Sequence, residues 1–190
     1  MTKKLLLSLA LILGMSTATV QAAEHYTVDT KGMHAFVTFK IKHLGYSWLQ
    51  GRFDKFAGEF DYDEANTANN KVSMTIDIMS LNSNHAERDK HLRSDDFFNA
   101  KKFPQATFVS TSWQDKEKGT AVLTGQFTLH GVSKEISFDV TQIGGGKDPW
   151  GGFRRGFEAS TTINVADYDM KSPGGSGDVQ LWIAIEGVRN

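Results

Sequence analysis

Apolar and polar residues alternate with a period of two along most of this chain, which restricts it to β-sheet with one face buried and one wet. In HAFVTFKIKH, Ala35, Val37, Phe39, Ile41 and His43 share one face, while Phe36, Thr38, Lys40 and Lys42 share the other. GEFDYD turns Phe60 and Tyr62 against Glu59, Asp61 and Asp63, and KVSMTIDI sets Val72, Met74, Ile76 and Ile78 against Ser73, Thr75 and Asp77. QATFVSTSW reads as a further strand. Leu123, Phe127 and Leu129 align in AVLTGQFTL. His130-Gly131 then marks a tight turn into KEISFDV, where Ile136, Phe138 and Val140 alternate with Ser137 and Asp139. GFEASTTINV aligns Phe157, Ala159, Thr161, Ile163 and Val165, and DVQLWIAIEGV aligns Val179, Leu181, Ile183 and Ile185 against Gln180, Trp182, Ala184 and Glu186.

About eight such antiparallel strands must share one interior without leaving long unpaired edges. A closed barrel meets that demand, and a sandwich with protected edges is the alternative that alternation alone leaves open. No alternation of strands with long helices supports a doubly wound sheet.

Residues 1–22 stand apart from this pattern. Lys3 and Lys4 precede the apolar run LLLSLALILGM, and Val20-Gln21-Ala22 supplies a cleavage site. Residues 1–22 therefore read as a secretory signal peptide cut after Ala22, with Ala23 the next choice, and residues 23–190 as one domain. The run is well short of the roughly 20 apolar residues that span a bilayer. Removing it takes away two of 21 basic residues and none of 22 acidic ones, leaving a formal charge of −3. Such a balance gives no basis for general nucleic-acid binding. The chain has no cysteine, which excludes disulfide staples and thiol chemistry.

Two stretches interrupt the alternation. In NHAERDKHLRSDDFFN, Asn84 is the expected cap of a short helix with Glu87 as its capping-box partner, and Asp89 with Arg93 forms an i,i+4 pair. The segment reads as a polar outer cover attached to the sheet by Phe97, Phe98 and Phe103. GGGKDPWGGFRRGF is a turn-rich connection and not a phosphate loop, because no Ser or Thr follows its lysine and no helix follows the glycines. PGGSGD is a second turn.

Taken in order, HAFVTFKIKHLGYSWLQGRFDKFAGEFDYD, NHAERDKHLRSDDFFNAKKFPQATF, LTGQFTLHGVSKEISFDV and DPWGGFRRGFEAS cover most of the mature chain. With these anchors the chain resembles the YceI family of exported polyisoprenoid-binding proteins. The resemblance implies an all-β, lipocalin-like, extended antiparallel eight-stranded β-barrel with short helical connections. It further implies noncovalent binding, sequestration or shuttling of a polyisoprenoid, with an isoprenoid quinone as the leading headgroup, in the periplasm. No cofactor is required for catalysis, bound quinone being cargo, and transient contact with a membrane or a membrane electron-transfer protein is expected.

A prenyl chain needs a long apolar surface. The candidates from periodicity are Val37, Phe39, Ile41, Phe60, Met74, Ile76, Phe127, Leu129, Phe138, Phe157, Ile163, Leu181 and Ile183, for which ordinary core packing is the competing role. His43 can hydrogen-bond a quinone oxygen, and Tyr46 and Trp48 can place amphipathic rings near the mouth. Arg88, Arg93, Phe97, Phe98, Trp150 and Arg154 are the remaining headgroup or entrance candidates. For the arginines, a solvated ion-pair network with Glu87, Asp89 and Asp95 is the simpler role. Two other functions compete: a hydrolase or other enzyme on a small apolar substrate, and a filled-barrel interaction protein. No compact nucleophile motif selects a catalytic trio. His85 and His91 are badly spaced for one helix face, and DYDEANTANNK lacks the glycine and terminal glutamate of a calcium loop, so no metal site is expected.

Overall fold

The structure is a computed structural model describing residues 22–172 and 177–190. The expected signal peptide lies outside the described residues except for Ala22, as does most of the PGGSGD turn. In chain order the elements are β1 (Glu24–Val28), β2 (Phe36–His43), β3 (Ser47–Phe53), β4 (Phe56–Tyr62), β5 (Lys71–Asp77), β6 (Leu81–Asn82), α1 (Ala86–Leu92), β7 (Gln105–Asp115), β8 (Thr120–Leu129), β9 (Val132–Lys147), β10 (Phe153–Asn164) and β11 (Asp178–Arg189).

Eleven segments make eight strands, because three strands are broken. β1 and β2 lie end to end along β11, with Val28 opposite Gly187 and Phe36 opposite Ala184. β4 and β3 lie end to end against them, Phe60 opposite Tyr26 and Phe53 opposite Val37. β5 pairs with β4 and β6 with β3. Short backbone hydrogen bonds carry the wall across these breaks: Asp54 N to Ser80 O at 3.1 Å, Asp77 N to Lys55 O at 3.0 Å and Ile78 N to Pro104 O at 2.9 Å. β7 to β11 continue antiparallel, neighbour to neighbour, and β11 returns to β1 and β2. The sheet is therefore a closed eight-stranded barrel with no free long edge, which decides against a sandwich.

Three tight turns place two consecutive residues at positive φ: Leu44-Gly45, Lys118-Gly119 and His130-Gly131. Such turns match the twist of the strands they join. At Gly131 a Cβ would come within 2.6 Å of the Phe103 ring, so glycine also lets that ring close over the turn. Inside, burial alternates as the sequence pattern requires, most cleanly in β8, where Ala121, Leu123, Gly125, Phe127 and Leu129 are all buried. Full burial of a leucine or phenylalanine side chain, as at Leu123, Phe127 and Leu129, contributes roughly 1.5–3 kcal/mol.

The helix departs from expectation in two ways. Its cap is His85, whose Nδ1 accepts from Arg88 N at 3.1 Å, and this puts Arg88 rather than Glu87 at the third helical position. Asn84 instead has φ 63° and reverses the chain after β6, with its N–H donating to Asn82 Oδ1 at 3.0 Å. Asp89 and Arg93 do not form the expected pair. Asp89 is buried and accepts from the N–H and hydroxyl of Ser83, while Arg93 Nη1 donates to Leu81 O at 2.8 Å. Arg88 likewise donates to Ser83 Oγ at 2.8 Å and Ser83 O at 2.5 Å. These arginines tie α1 to β6, where hydrogen bonds to fixed acceptors replace the anticipated solvated ion pairs.

Candidate functional site

The barrel is not filled. It encloses a cavity of about 440 Å³, within the roughly 300–1,000 Å³ typical of small-molecule sites. All of the apolar candidates line it: Val37, Phe39 and Ile41 from β2, Phe60 from β4, Met74 and Ile76 from β5, Phe127 and Leu129 from β8, Phe138 from β9, Phe157 and Ile163 from β10, and Leu181 and Ile183 from β11. Packing into the wall and facing the cavity are thus the same placement for these side chains.

The floor is aromatic. Tyr62, Trp113 and Phe157 meet with ring centroids 5.4–6.1 Å apart, and Phe60 stacks on Tyr26 at 4.8 Å. Beneath them lies Arg155, buried, its guanidinium 4.2 Å from the Tyr62 ring and its Nε 3.5 Å from the Tyr26 hydroxyl. Glu24 and Glu64 stand 4.0 and 3.8 Å from its Nη2. Burial pushes the Tyr26 and Tyr62 hydroxyls above the ordinary tyrosine range, so both stay neutral donors.

The opposite end is polar and reaches solvent. His43 at the end of β2, Arg88 and His91 of α1, and Lys171 border the cavity there, with Leu92, Phe97 and Phe98 as its apolar rim. Phe98 meets Phe53 edge-on at 6.1 Å. Lys171 Nζ lies 2.9 Å from Asp96 Oδ1 and His91 Nε2 3.4 Å from Asp96 Oδ2. The hydrogen bond and charge of Lys171, and then His91, hold the Asp96 carboxyl below its usual range.

The other candidates lie off the cavity. Tyr46 and Trp48 are exposed on the β2–β3 hairpin beside the mouth, with Lys40 Nζ 4.8 Å from the Trp48 ring centre. Arg93 is committed to Leu81. Trp150 and Arg154 sit at the floor end, outside the barrel. Arg154 is held there by Asp29, Asp148 and Glu186, and its guanidinium lies 5.2 Å from the Trp150 ring. A headgroup at the mouth does not reach this pair.

Several lining residues escaped the sequence reading. Trp113 is five residues from Phe108, a spacing that strict alternation sends to opposite faces. An irregularity between Ser110 and Ser112 brings both inside. His91 and Lys171 carry no pattern that marks them. Arg155, which lies beneath the floor and does not itself line the cavity, does carry one, since it falls in the inward series with Phe157 and Ala159. Among the described residues, the donors of Asp29, His34 and Glu186 come within 4.8 Å of one another. Arg154 Nη1 already lies 2.6 Å from Asp29 and 2.5 Å from Glu186, so an internal cation already engages both carboxylates of this cluster. His34 precedes β2 and His43 ends it, and the fold keeps them apart.

A YceI-like domain matches residues 26–187. A UPF0312 protein of Photorhabdus laumondii is 52% identical over 194 aligned positions, covering 100% of this chain and 99% of that protein. The crystal structure of the Campylobacter jejuni YCEI protein matches with a TM-score of 0.72 and 34% identity, over 80% of this chain and 91% of that one. A polyisoprenoid binding domain from Saccharophagus degradans shares the fold, with a TM-score of 0.62 at 16% identity over 87% of this chain and 98% of its own. With its barrel, its cavity and a family match over residues 26–187, the chain belongs to the YceI family.

Proposed function

We propose that this protein binds an isoprenoid lipid noncovalently in its cavity and sequesters or shuttles it in the periplasm, with a quinone as the preferred headgroup. One observation carries the reading: a cavity of about 440 Å³, walled by apolar side chains, has an aromatic floor and a polar, solvent-reaching mouth. That asymmetry suits a molecule with a long greasy tail and one polar end. Membership of the family goes with a non-enzymatic, binding role. The open interior favours this reading over the filled-barrel alternative.

Magnitudes assign the parts. Apolar burial contributes roughly 25 cal/mol per Å². A neutral hydrogen bond nets about 0.5–1.5 kcal/mol, so a few tens of Å² of chain equal one headgroup contact. The tail therefore sets affinity, and His43 at the mouth sets orientation by hydrogen-bonding a quinone oxygen. Mass spectrometry of lipid extracted from gently purified mature protein tests the proposal, followed by titration with long-chain quinone and a matched saturated chain. Recovery of no isoprenoid and binding of none in a membrane mimetic would sink it. Equal binding of both ligands would reject quinone preference alone.

A further inference from the structure

The β2–β3 hairpin carries apolar side chains that the fold does not use. Leu44, Tyr46 and Trp48 are 54%, 87% and 45% exposed, within five residues of one another. Leu44 holds a left-handed conformation, φ 52°, next to Gly45 at φ 79°. Asn or Gly takes that conformation more readily, so neither packing nor turn geometry accounts for a leucine there. The hairpin is beside the mouth: His43, the residue before Leu44, borders the cavity.

Charge singles out one kind of partner. Lys40 and Lys42 point their ammonium groups over the Trp48 ring, at 4.8 and 5.7 Å. Neither has a carboxylate partner among the described residues. The hairpin thus offers a leucine, a tyrosine and a tryptophan beside two unneutralised cations, the combination that settles at the headgroup level of an anionic bilayer. The floor end offers the opposite. Trp150 is 76% exposed there, but it stands over an arginine already held by Asp29, Asp148 and Glu186, whose net charge is negative.

We propose that the β2–β3 hairpin docks this protein on the surface of a bilayer rich in anionic lipid, mouth toward the membrane. Resting on the lipid-binding reading, this contact lets a prenyl chain pass between bilayer and barrel without crossing water. The apolar side chains insert, and the two lysines hold the anionic headgroups.

Flotation of the mature protein with vesicles of phosphatidylcholine alone, and of phosphatidylcholine mixed with phosphatidylglycerol, tests it. The parent partitions about tenfold better to the anionic vesicles, and the combined variant Leu44→Asn, Tyr46→Ser loses about tenfold of that binding. Lys40→Gln with Lys42→Gln abolishes the preference for phosphatidylglycerol. Trp150→Ser floats like the parent. Thermal melts of each variant show that these exposed substitutions leave the fold intact. Lys42 borders the cavity, so the control for cavity binding is read in the other variants: affinity for detergent-solubilised long-chain quinone is unchanged in Leu44→Asn, Tyr46→Ser and in Trp150→Ser, which separates docking from cavity binding. Docking without quinone binding would overturn the lipid reading and leave the surface standing. A parent that fails to float, or a Leu44→Asn, Tyr46→Ser variant that floats as well as the parent, overturns the docking proposal.

Discussion

Arg154 Nη1 donates to Asp29 Oδ2 at 2.6 Å across 125 residues of chain, joining the start of β10 to the break between β1 and β2. The same guanidinium reaches Glu186 on β11 at 2.5 Å and Asp148 in the β9–β10 turn at 3.0 Å. One side chain thus holds the point where the seam of the barrel changes from β1 to β2.

Acid should therefore loosen this seam. The Arg154 hydrogen bond, with the Gly32 N–H, holds the Asp29 carboxyl below its ordinary range. At Asp148 burial pushes upward, but the Gly152 N–H, Arg154 and the Trp150 N–H outweigh it and the net shift is downward. Carboxyls with depressed folded pKa values stabilise above the unfolded value and lose that stabilisation as pH falls through the folded value. Melts from about pH 7 to about pH 3 should show Arg154→Met destabilised at neutral pH, with the gap to the parent closing in acid. A gap independent of pH would rule out this linkage.

Tyr168 predicts a gain. Its ring is 1% exposed, packed edge-on to Phe127 at 5.6 Å, and its hydroxyl has no hydrogen-bond partner among the described residues. An unsatisfied buried hydroxyl costs about 1–3 kcal/mol, so Tyr168→Phe should raise Tm by about 2–4 °C or more. Burial, and then the charge of Asp167, pushes its pKa up to about 12. The parent should accordingly lose stability as pH rises from about 10, the unfolded tyrosine value, through the folded one, while the phenylalanine variant lacks that component of the alkaline limb.

The pattern of these residues explains how far a sequence can be read. Burial of one sheet face is encoded at every second position, so Val37, Phe39 and Ile41, or Phe127 and Leu129, declare their side without knowledge of the partner strand. Breaks are different. Asp54-Lys55 and Ile78–Ser80 interrupt strands through hydrogen bonds to distant backbone, as in Asp54 N to Ser80 O, and nothing local announces those acceptors. The irregularity at Ser110–Ser112 carries Trp113 inward for a similarly non-local reason. At α1, Asn84 and His85 are both able to cap, and the reversal after β6 decided between them by forcing Asn84 to positive φ. The mouth was half legible: His43 ends an inward series, whereas Lys171 reaches it from the far end of the chain.

Filling the cavity should block the guest without harming the host. Ala159 borders the cavity from β10, between Val140 and Ile183 on the neighbouring strands. Ala159→Phe extends a ring into open volume, so the usual overpacking penalty of about 1–3 kcal/mol should be largely avoided. Isoprenoid affinity should fall by about tenfold or more, corresponding to about 1.4 kcal/mol. Titration beside a thermal melt checks both halves, and undiminished affinity in a folded variant would place the lipid elsewhere.

Trp113 should determine how long a chain the barrel accepts. Its indole stands between Tyr62 and Phe157 at the floor, with Nε1 donating to Asp115 Oδ1 at 2.8 Å. Trp113→Ala removes part of that floor and extends the cavity toward Arg155. Trp113 is only partly buried, so its loss costs less than the about 3–5 kcal/mol of a fully buried core aromatic, and Trp113→Leu serves as a milder companion. In a titration series of quinones differing only in prenyl length, both variants should shift their best ligand toward longer chains, the alanine further than the leucine. An unchanged length optimum in folded variants would mean that the tail stops short of the aromatic floor. If all lengths instead weaken equally, Trp113 supports the wall without measuring the ligand.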